Sequence, residues 1–328
     1  MERVICVGLG EAAKVRPEDL RQAVGRGVKA AWERQREVRA LVAAPAAGAL
    51  PGAPEDLLEA LCEGAVLANH RFDRYKAEAP FRCLREIRVR VDRRAAARHK
   101  DLAARVATVC GAALTARDWV SRPSNDKRPE DLADQMAREG RSAGLAARVL
   151  DARRLRRLGM GALLAVAAGS RHEPRLVILE HKPRRPRAPR VALVGKGVTF
   201  DAGGYNLKPT GAIEQMKADM AGAAAVAGAM AAAARLESPL HLVGVIPLVE
   251  NMVSGDAYRP GDVVRTYAGK TVEIANTDAE GRLILADAMA YAVRSFKPAF
   301  MVDVATLTGA CVVALGERLA GVLSNDEP

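Results

Sequence analysis

Apolar residues alternate with polar ones in EIRVRVD (86–92) and run almost unbroken through RLVILEH (175–181), VALVGKGV (191–198), HLVGVIPLVE (241–250) and AFMVDVATL (299–307). The first pattern predicts a half-buried strand, the others strands covered on both faces. VICVGLG (4–10) and ARVLD (147–151) read as short strands, and VVRTY with KTVEI (263–267, 270–274) as a strand pair. Helical spacing marks Pro17 to about Glu37 and Pro54–Asn69, each opened by Pro-Glu-Asp. An unbroken alanine-rich helix is expected from Arg93 to about Val120, and further helices over 129–139, Arg153 to about Leu164, Ile213–Leu236 and Arg282–Phe296. Strands and helices alternate over the second half. That order predicts an α/β fold: a mixed, largely parallel sheet flanked by helices, with ligands at the carboxyl ends of its strands. A smaller N-terminal α/β domain (1–92) and a connecting helix (93–117) would precede this larger domain (118–328).

Charge sharpens the division. The net charge is +11, yet from Val191 onward 11 Lys and Arg face 15 Asp and Glu, a balance of −4. Residues 1–190 hold the other 39 against 24, or +15. The basic runs RRLRR (153–157) and HKPRRPRAPR (181–190) would attract phosphate backbones or an acidic surface. Aromatics make up 4% of the chain, too few to interleave as stacking platforms, so solvated surface charge is preferred over a nucleic-acid site. No apolar run approaches the about 18 residues of a membrane span. MERVICVGLG lacks the basic segment and long apolar stretch of a secretory signal. Five cysteines, odd in number and without CxxC spacing, fit a reducing compartment, hence the cytoplasm.

The chemistry-bearing residues gather after position 190. In NTDAEGRLILADAM (276–289), Asp278, Glu280 and Arg282 are expected on a loop at a helix N-terminus. VGKGVTFDAGG (194–204) ends a buried strand with Lys196 and Asp201. A phosphate loop is rejected, because Lys196 is followed by Gly197 and GxxxxGK[ST] is absent. Asp219 opens a helix otherwise made of Ala, Gly, Val and Met, where a carboxylate needs a partner. Asp201, Asp219, Asp278 and Glu280 therefore fall at strand ends or helix starts of one sheet. Four carboxylates in one crevice repel unless cations neutralise them, and two divalent ions cancel four charges. With five histidines and no HExxH, such a site would be built from carboxylates with lysine as nitrogen donor. Spacing alone leaves this reading open beside one of separate caps and salt bridges.

GKGVTFDAGG (195–204), NLKP (206–209), MKADMAGAAAV (216–226), NTDAEGRL (276–283) and DVATLTGA (303–310) resemble, in order and separation, the leucyl (cytosol) aminopeptidase family of dinuclear metallopeptidases. The likeness is strong over about 117–328, weak before it, and NTDAEGRL is its most specific stretch. The resemblance implies two divalent ions, Mn²⁺ or Zn²⁺, bridged by Asp201 and Glu280, with Asp278 completing one shell and Lys196 and Asp219 the other. A ligating lysine must be neutral, which costs roughly 4–5 kcal/mol at neutral pH. It further implies that a metal-bound water attacks and that one ion holds the substrate's α-amino group. Lys208 would steady the oxyanion, and Arg282 would hold a bicarbonate that shuttles the proton. Met216, Thr306 and Gly309, with backbone near Leu307, would line a pocket for a leucine-like side chain of peptide substrates. The family assembles as hexamers.

Two departures accompany the likeness. Family members begin before MERVICVGLG and extend beyond GVLSNDEP, so a chain truncated at both ends is expected, its sheet left with an open edge and its hexamer put in question. SRPSNDKRPEDLA (121–133) departs from Asn-x-Pro-x-Asn-x-x-Thr-Pro at Ser121 and Arg128, in a region that is structural in the family. The competing readings are DNA binding by the basic N-terminal part, as in some relatives, and a two-metal phosphoesterase, which leaves the lysine ligand and NTDAEGRL unexplained.

Overall fold

The computed structural model describes residues 4–34, 39–43, 50–78, 83–91, 93–185 and 188–326. It divides into two compact units, Met1–Ser121 with Ala231–Ser238, and Arg122–Met230 with Pro239–Pro328.

The first unit contains α1 (Pro17–Arg34), β1 (Arg39–Ala43), α2 (Pro54–Ala68), β2 (Glu86–Arg90), α3 (Arg93–Arg98) and α4 (Leu102–Ser121). Leu20, Val24, Val28 and Trp32 recur every four residues along α1 and close on Leu61, Ala65 and Leu84. Leu102, Val106 and Cys110 form the same kind of stripe on α4 and pack against Leu58, Cys62 and Val66 of α2. β1 and β2 pair in parallel, Arg39 opposite Glu86. Two expectations change here. Residues 4–10 form no strand, since no neighbour among the described residues supplies the backbone bonds a strand needs, and Val4 is 86% exposed. The expected helix 93–120 breaks at a turn over His99–Asp101. Arg98–Asp101 is an all-polar run with nothing to bury, and the His99 and Asp101 carbonyls restart the helix by accepting from Leu102 and Arg105. Helix α1 ends at Arg34, and the last part of its expected span lies outside the described residues.

The second unit continues with α5 (Pro129–Ser142), β3 (Ala146–Leu150), α6 (Ala152–Leu158), α7 (Gly161–Ala167), β4 (Arg175–His181), β5 (Arg190–Gly195), β6 (Gly197–Asp201), α8 (Thr210–Ile213) and α9 (Ala221–Arg235). It ends with β7 (His241–Asn251), β8 (Val263–Arg265), β9 (Thr271–Glu273), α10 (Glu280–Phe296), β10 (Phe300–Val304) and α11 (Ala310–Leu315). The main sheet has the order β10-β5-β7-β4-β3, with β6 also on β7. β10, β5, β6 and β7 run parallel, while β4 is antiparallel to both β7 and β3. Helices cover both faces. Leu176, Ile178, Val243 and Val245 join Leu163 of α7 and Ile284 and Ala288 of α10 in one core. The alternate residues Leu179 and Gly244 face Gly140 of α5 and Val226 and Met230 of α9. β8 and β9 form the expected antiparallel pair.

Three expected elements are interrupted, the first by a local glycine cap and the other two where a tertiary bond displaces a local one. The helix expected over 153–164 stops at Gly159, which adopts a left-handed φ of 75° and separates α6 from α7. The strand expected over 191–198 splits at Lys196. β7 pairs with β5 up to Val245 and with β6 from Leu248, so Pro247, which has no N–H to donate, occupies the gap between the two partners. The helix expected from Ile213 begins only at Ala221. The Asp219 carbonyl accepts from Val198, and the Ala223 N–H donates to the Lys196 carbonyl at 2.8 Å, so the helical bond between residues 219 and 223 is given up to the strand link. β10 is the edge strand opposite β3, with Phe300 60% exposed. No helix among the described residues is long and apolar enough to cross a membrane.

Candidate metal centre

The interruptions deliver the charged residues to one place. A bulge between Val198 and Asp201 adds one residue to β6, so Asp201, rather than Phe200, lies opposite Asn251 of β7. The β5–β6 break turns Lys196 beneath the first turn of α10, where Glu280 is the first helical residue rather than part of a loop. The late start of α9 leaves Asp219 ahead of it. A metal-sized cluster results: Asp201, Asp278 and Glu280 each present a carboxylate oxygen within 4.8 Å of the others. Lys196 Nζ donates to Asp219 Oδ1, Glu280 Oε1 and the Thr306 carbonyl, all at 2.8 Å. Lys208 Nζ lies 2.9 Å from Asp201 Oδ2 and 2.5 Å from Asp278 Oδ1. Five carboxylate and lysine side chains on four separate segments thus meet with Lys208 at one end of the sheet. Close approach is built into the glycines. A Cβ on Gly281 would sit 2.9 Å from Lys196 Cε, and one on Gly222 only 2.0 Å from the Val304 carbonyl oxygen.

The charges do not balance among these residues. Burial opposes the charge on Lys196, but Glu280 and Asp219 outweigh it and hold the amine above its ordinary value. For Lys208 burial is likewise outweighed, by hydrogen bonds to Asp278 and Asp201, and its affinity for the proton rises. Burial pushes the Asp219 carboxyl up to about 7, the nearby Glu280 adding to the effect against the pull of Lys196. One ammonium shared by two buried carboxylates leaves a negative charge uncompensated, which accounts for both directions at once. Asp219 Oδ2 and Glu280 Oε2 are moreover buried without a hydrogen-bond partner. Four carboxylates against two lysines leave a deficit of two positive charges, and the donor set is oxygen with a single amine. Both features fit divalent cations that accept carboxylate ligands. A dication held by these carboxylates would also drive the Lys196 proton off, the condition for amine ligation. None of the histidines joins the cluster among the described residues.

Around the acids lies a framework that sequence reasoning missed. Asn251, fully buried, donates to Asp201 Oδ1 at 2.8 Å and to the Thr277 carbonyl at 3.0 Å. Tyr258 donates to the same carbonyl at 2.6 Å. Thr277 Oγ1 donates to the Gly203 carbonyl, and Asn206 receives the Thr277 N–H and returns its own to Thr277 Oγ1. The segment bearing Asp201 and Lys208 is thereby laced to the segment bearing Asp278 and Glu280. The signal for Asn251 was its place, a polar residue closing a long apolar strand.

The expected pocket residues are near but differ in setting. Thr306 Oγ1 donates to Asp219 Oδ1 at 2.8 Å, so it supports an acid as well as facing the site. Met216 is half-buried on a 3-10 turn, while Leu307 and Gly309 are exposed after β10. Leu307 Cδ1 would lie 3.0 Å from a Cβ on Gly281, which places it beside Lys196. Arg282 is exposed on the first turn of α10 and forms no ion pair among the described residues. Of the basic runs, Arg153, Arg154, Arg156 and Arg157 are exposed on α6, and residues 186 and 187 of the second lie outside the described residues.

Known proteins resemble this chain over nearly its whole length. The cytosol aminopeptidase family's catalytic-domain model matches residues 114–328, and its N-terminal-domain model residues 1–79. A probable cytosol aminopeptidase of Syntrophotalea carbinolica is 43% identical over 98% of this chain and 65% of its own length. Another, of Geobacter sulfurreducens, is 44% identical over 99% and 65%. The chain therefore spans about 65% of the length of these curated relatives. Among solved structures, the bottromycin maturation enzyme BotP in complex with Mn superposes with a TM-score of 0.83 at 40% identity, over 95% of this chain and 65% of that one.

Proposed function

The chain belongs to the cytosol aminopeptidase family, and from that membership we propose that it removes the N-terminal residue from peptides by metal-assisted hydrolysis. The supporting observation is the meeting of Asp201, Asp278 and Glu280 within 4.8 Å beside the buried, unpartnered oxygens of Asp219 and Glu280. In this reading Asp201, Asp278 and Glu280, with Lys196 and Asp219, would hold two divalent ions, Mn²⁺ or Zn²⁺, with Asp201 and Glu280 shared between them. Bound there, the ions would supply Lewis acidity and a water acidified toward ~7.

The chain's own residues do the rest. Lys208, kept charged by Asp201 and Asp278, donates to the carbonyl oxygen as negative charge develops on it. Arg282, exposed and without an ion pair among the described residues, holds a bicarbonate-sized anion at the rim. Met216, Thr306, Leu307 and Gly309 accept an apolar, leucine-like first side chain. The family likeness also supports a cytoplasmic, hexameric enzyme, which mass in solution checks. The test is release of p-nitroaniline from leucyl-p-nitroanilide with added Mn²⁺. Lys208→Ala should lower kcat by about 10²–10³ with metal content unchanged. No hydrolysis by the metal-loaded wild type, or an unaltered rate in the variant, overturns the assignment.

A further inference from the structure

Asn251, fully buried, touches both metal-ligand segments, through Asp201 Oδ1 at 2.8 Å and the Thr277 carbonyl at 3.0 Å. Its orientation is fixed by its neighbours. Both partners are acceptors, so only the amide nitrogen can face them, and a flipped amide would set three oxygens against one another. The backbone repeats the link, since Ala202 donates to the Asn251 carbonyl at 2.9 Å. Tyr258 closes the far side by donating to the same Thr277 carbonyl at 2.6 Å. Asp278 follows Thr277 directly, and Asp201 stands opposite Asn251 because of the β6 bulge. One carboxamide thus stands between the segments that carry the two carboxylates, alongside the Thr277–Gly203 and Asn206–Thr277 bonds.

We propose that Asn251, backed by Tyr258, is a positioning residue that sets Asp201 and Asp278 at the spacing a metal pair requires, and that the site needs the two N–H donors of an amide at this place. Asn251 donates to Asp201 Oδ1, leaving Oδ2, which Lys208 now contacts, as the oxygen free to turn to a cation. A carboxylate at 251 keeps the shape but removes the donors and adds charge against Asp201. The inference rests on the metal-site reading above.

The test is Mn²⁺ titration of metal-stripped wild type, Asn251→Asp and Tyr258→Phe, followed by electron paramagnetic resonance. Melting of the stripped proteins and kcat and KM with leucyl-p-nitroanilide are recorded alongside. Asn251→Asp should weaken Mn²⁺ binding about 10–100-fold, the scale of losing a ligand's supporting hydrogen bond. It should also change the signal of coupled Mn²⁺ ions and lower kcat with KM within about twofold. Tyr258→Phe should weaken binding by a smaller factor. If Asn251→Asp fails to fold, the Tyr258→Phe titration decides, and unchanged affinity and signal there overturn the proposal. A wild type that binds two ions beside variants that bind equally well overturns this inference alone. A wild type that takes up no Mn²⁺ overturns the parent reading with it.

Discussion

Lys127 stands between the short turn at Ser124–Asp126 and α5, fully buried, with Nζ 3.5 Å from the Met220 sulfur. Burial, with Lys217 and Arg122 adding like charge, lowers its pKa from 10.5 to about 7. At about 1.4 kcal/mol per pH unit, the gap between about 7 and 10.5 makes the protonated lysine cost about 5 kcal/mol relative to the unfolded chain. The sign follows from proton counts. Between about pH 7 and 10.5 the unfolded chain binds the proton and the folded one does not, so stability climbs as pH rises through that window and is level below it. Lys127→Met fills similar volume without a charge and should lose this dependence. From pH 6.5 to pH 9 the wild type should gain about 2–3 kcal/mol on the variant, or about 5–10 °C in relative Tm for a unit of this size. Thermal melts at four or five pH values, followed by circular dichroism, measure it. Parallel curves for the two proteins would refute the reasoning.

Two further predictions follow from close packing and buried bonds. Gly281→Ala places a methyl 2.9 Å from Lys196 Cε and 3.0 Å from Leu307 Cδ1, so it should cost about 1–3 kcal/mol in denaturant unfolding and weaken Mn²⁺ retention in dialysis. Asp287, buried on α10, accepts from Leu163 at 3.0 Å and Tyr267 at 2.7 Å, so Asp287→Ala should lower stability by about 2–5 kcal/mol by the same unfolding measurement.

What could be read from sequence was what the chain stores locally. GKGVTFDAGG and NTDAEGRL each carry ligand candidates within a few residues of one another, and the apolar runs put β4, β5, β7, β10 and the β8–β9 pair close to their observed bounds, while β6 went unforeseen. The failures come from bonds made at a distance. An alanine-rich stretch has helical propensity from Ile213 onward, yet the chain trades the bond between residues 219 and 223 for contacts with Val198 and Lys196. VICVGLG has the composition of a strand but pairs with no strand among the described residues. Asn251 meets Asp201 across 50 residues, so its role exists only once β6 and β7 are aligned. The same alignment explains why Pro247 sits harmlessly inside an eleven-residue strand.

The claim on which the account rests is that these acids and one lysine together hold a pair of cations. Elemental analysis of the purified chain, stripped and reloaded with Mn²⁺ and then freed of excess, tests it directly in parallel with Asp278→Ala. The account predicts two ions per wild-type chain and at least one fewer in the variant. A wild type that retains less than one ion, or a variant that retains as many as the wild type, would contradict it.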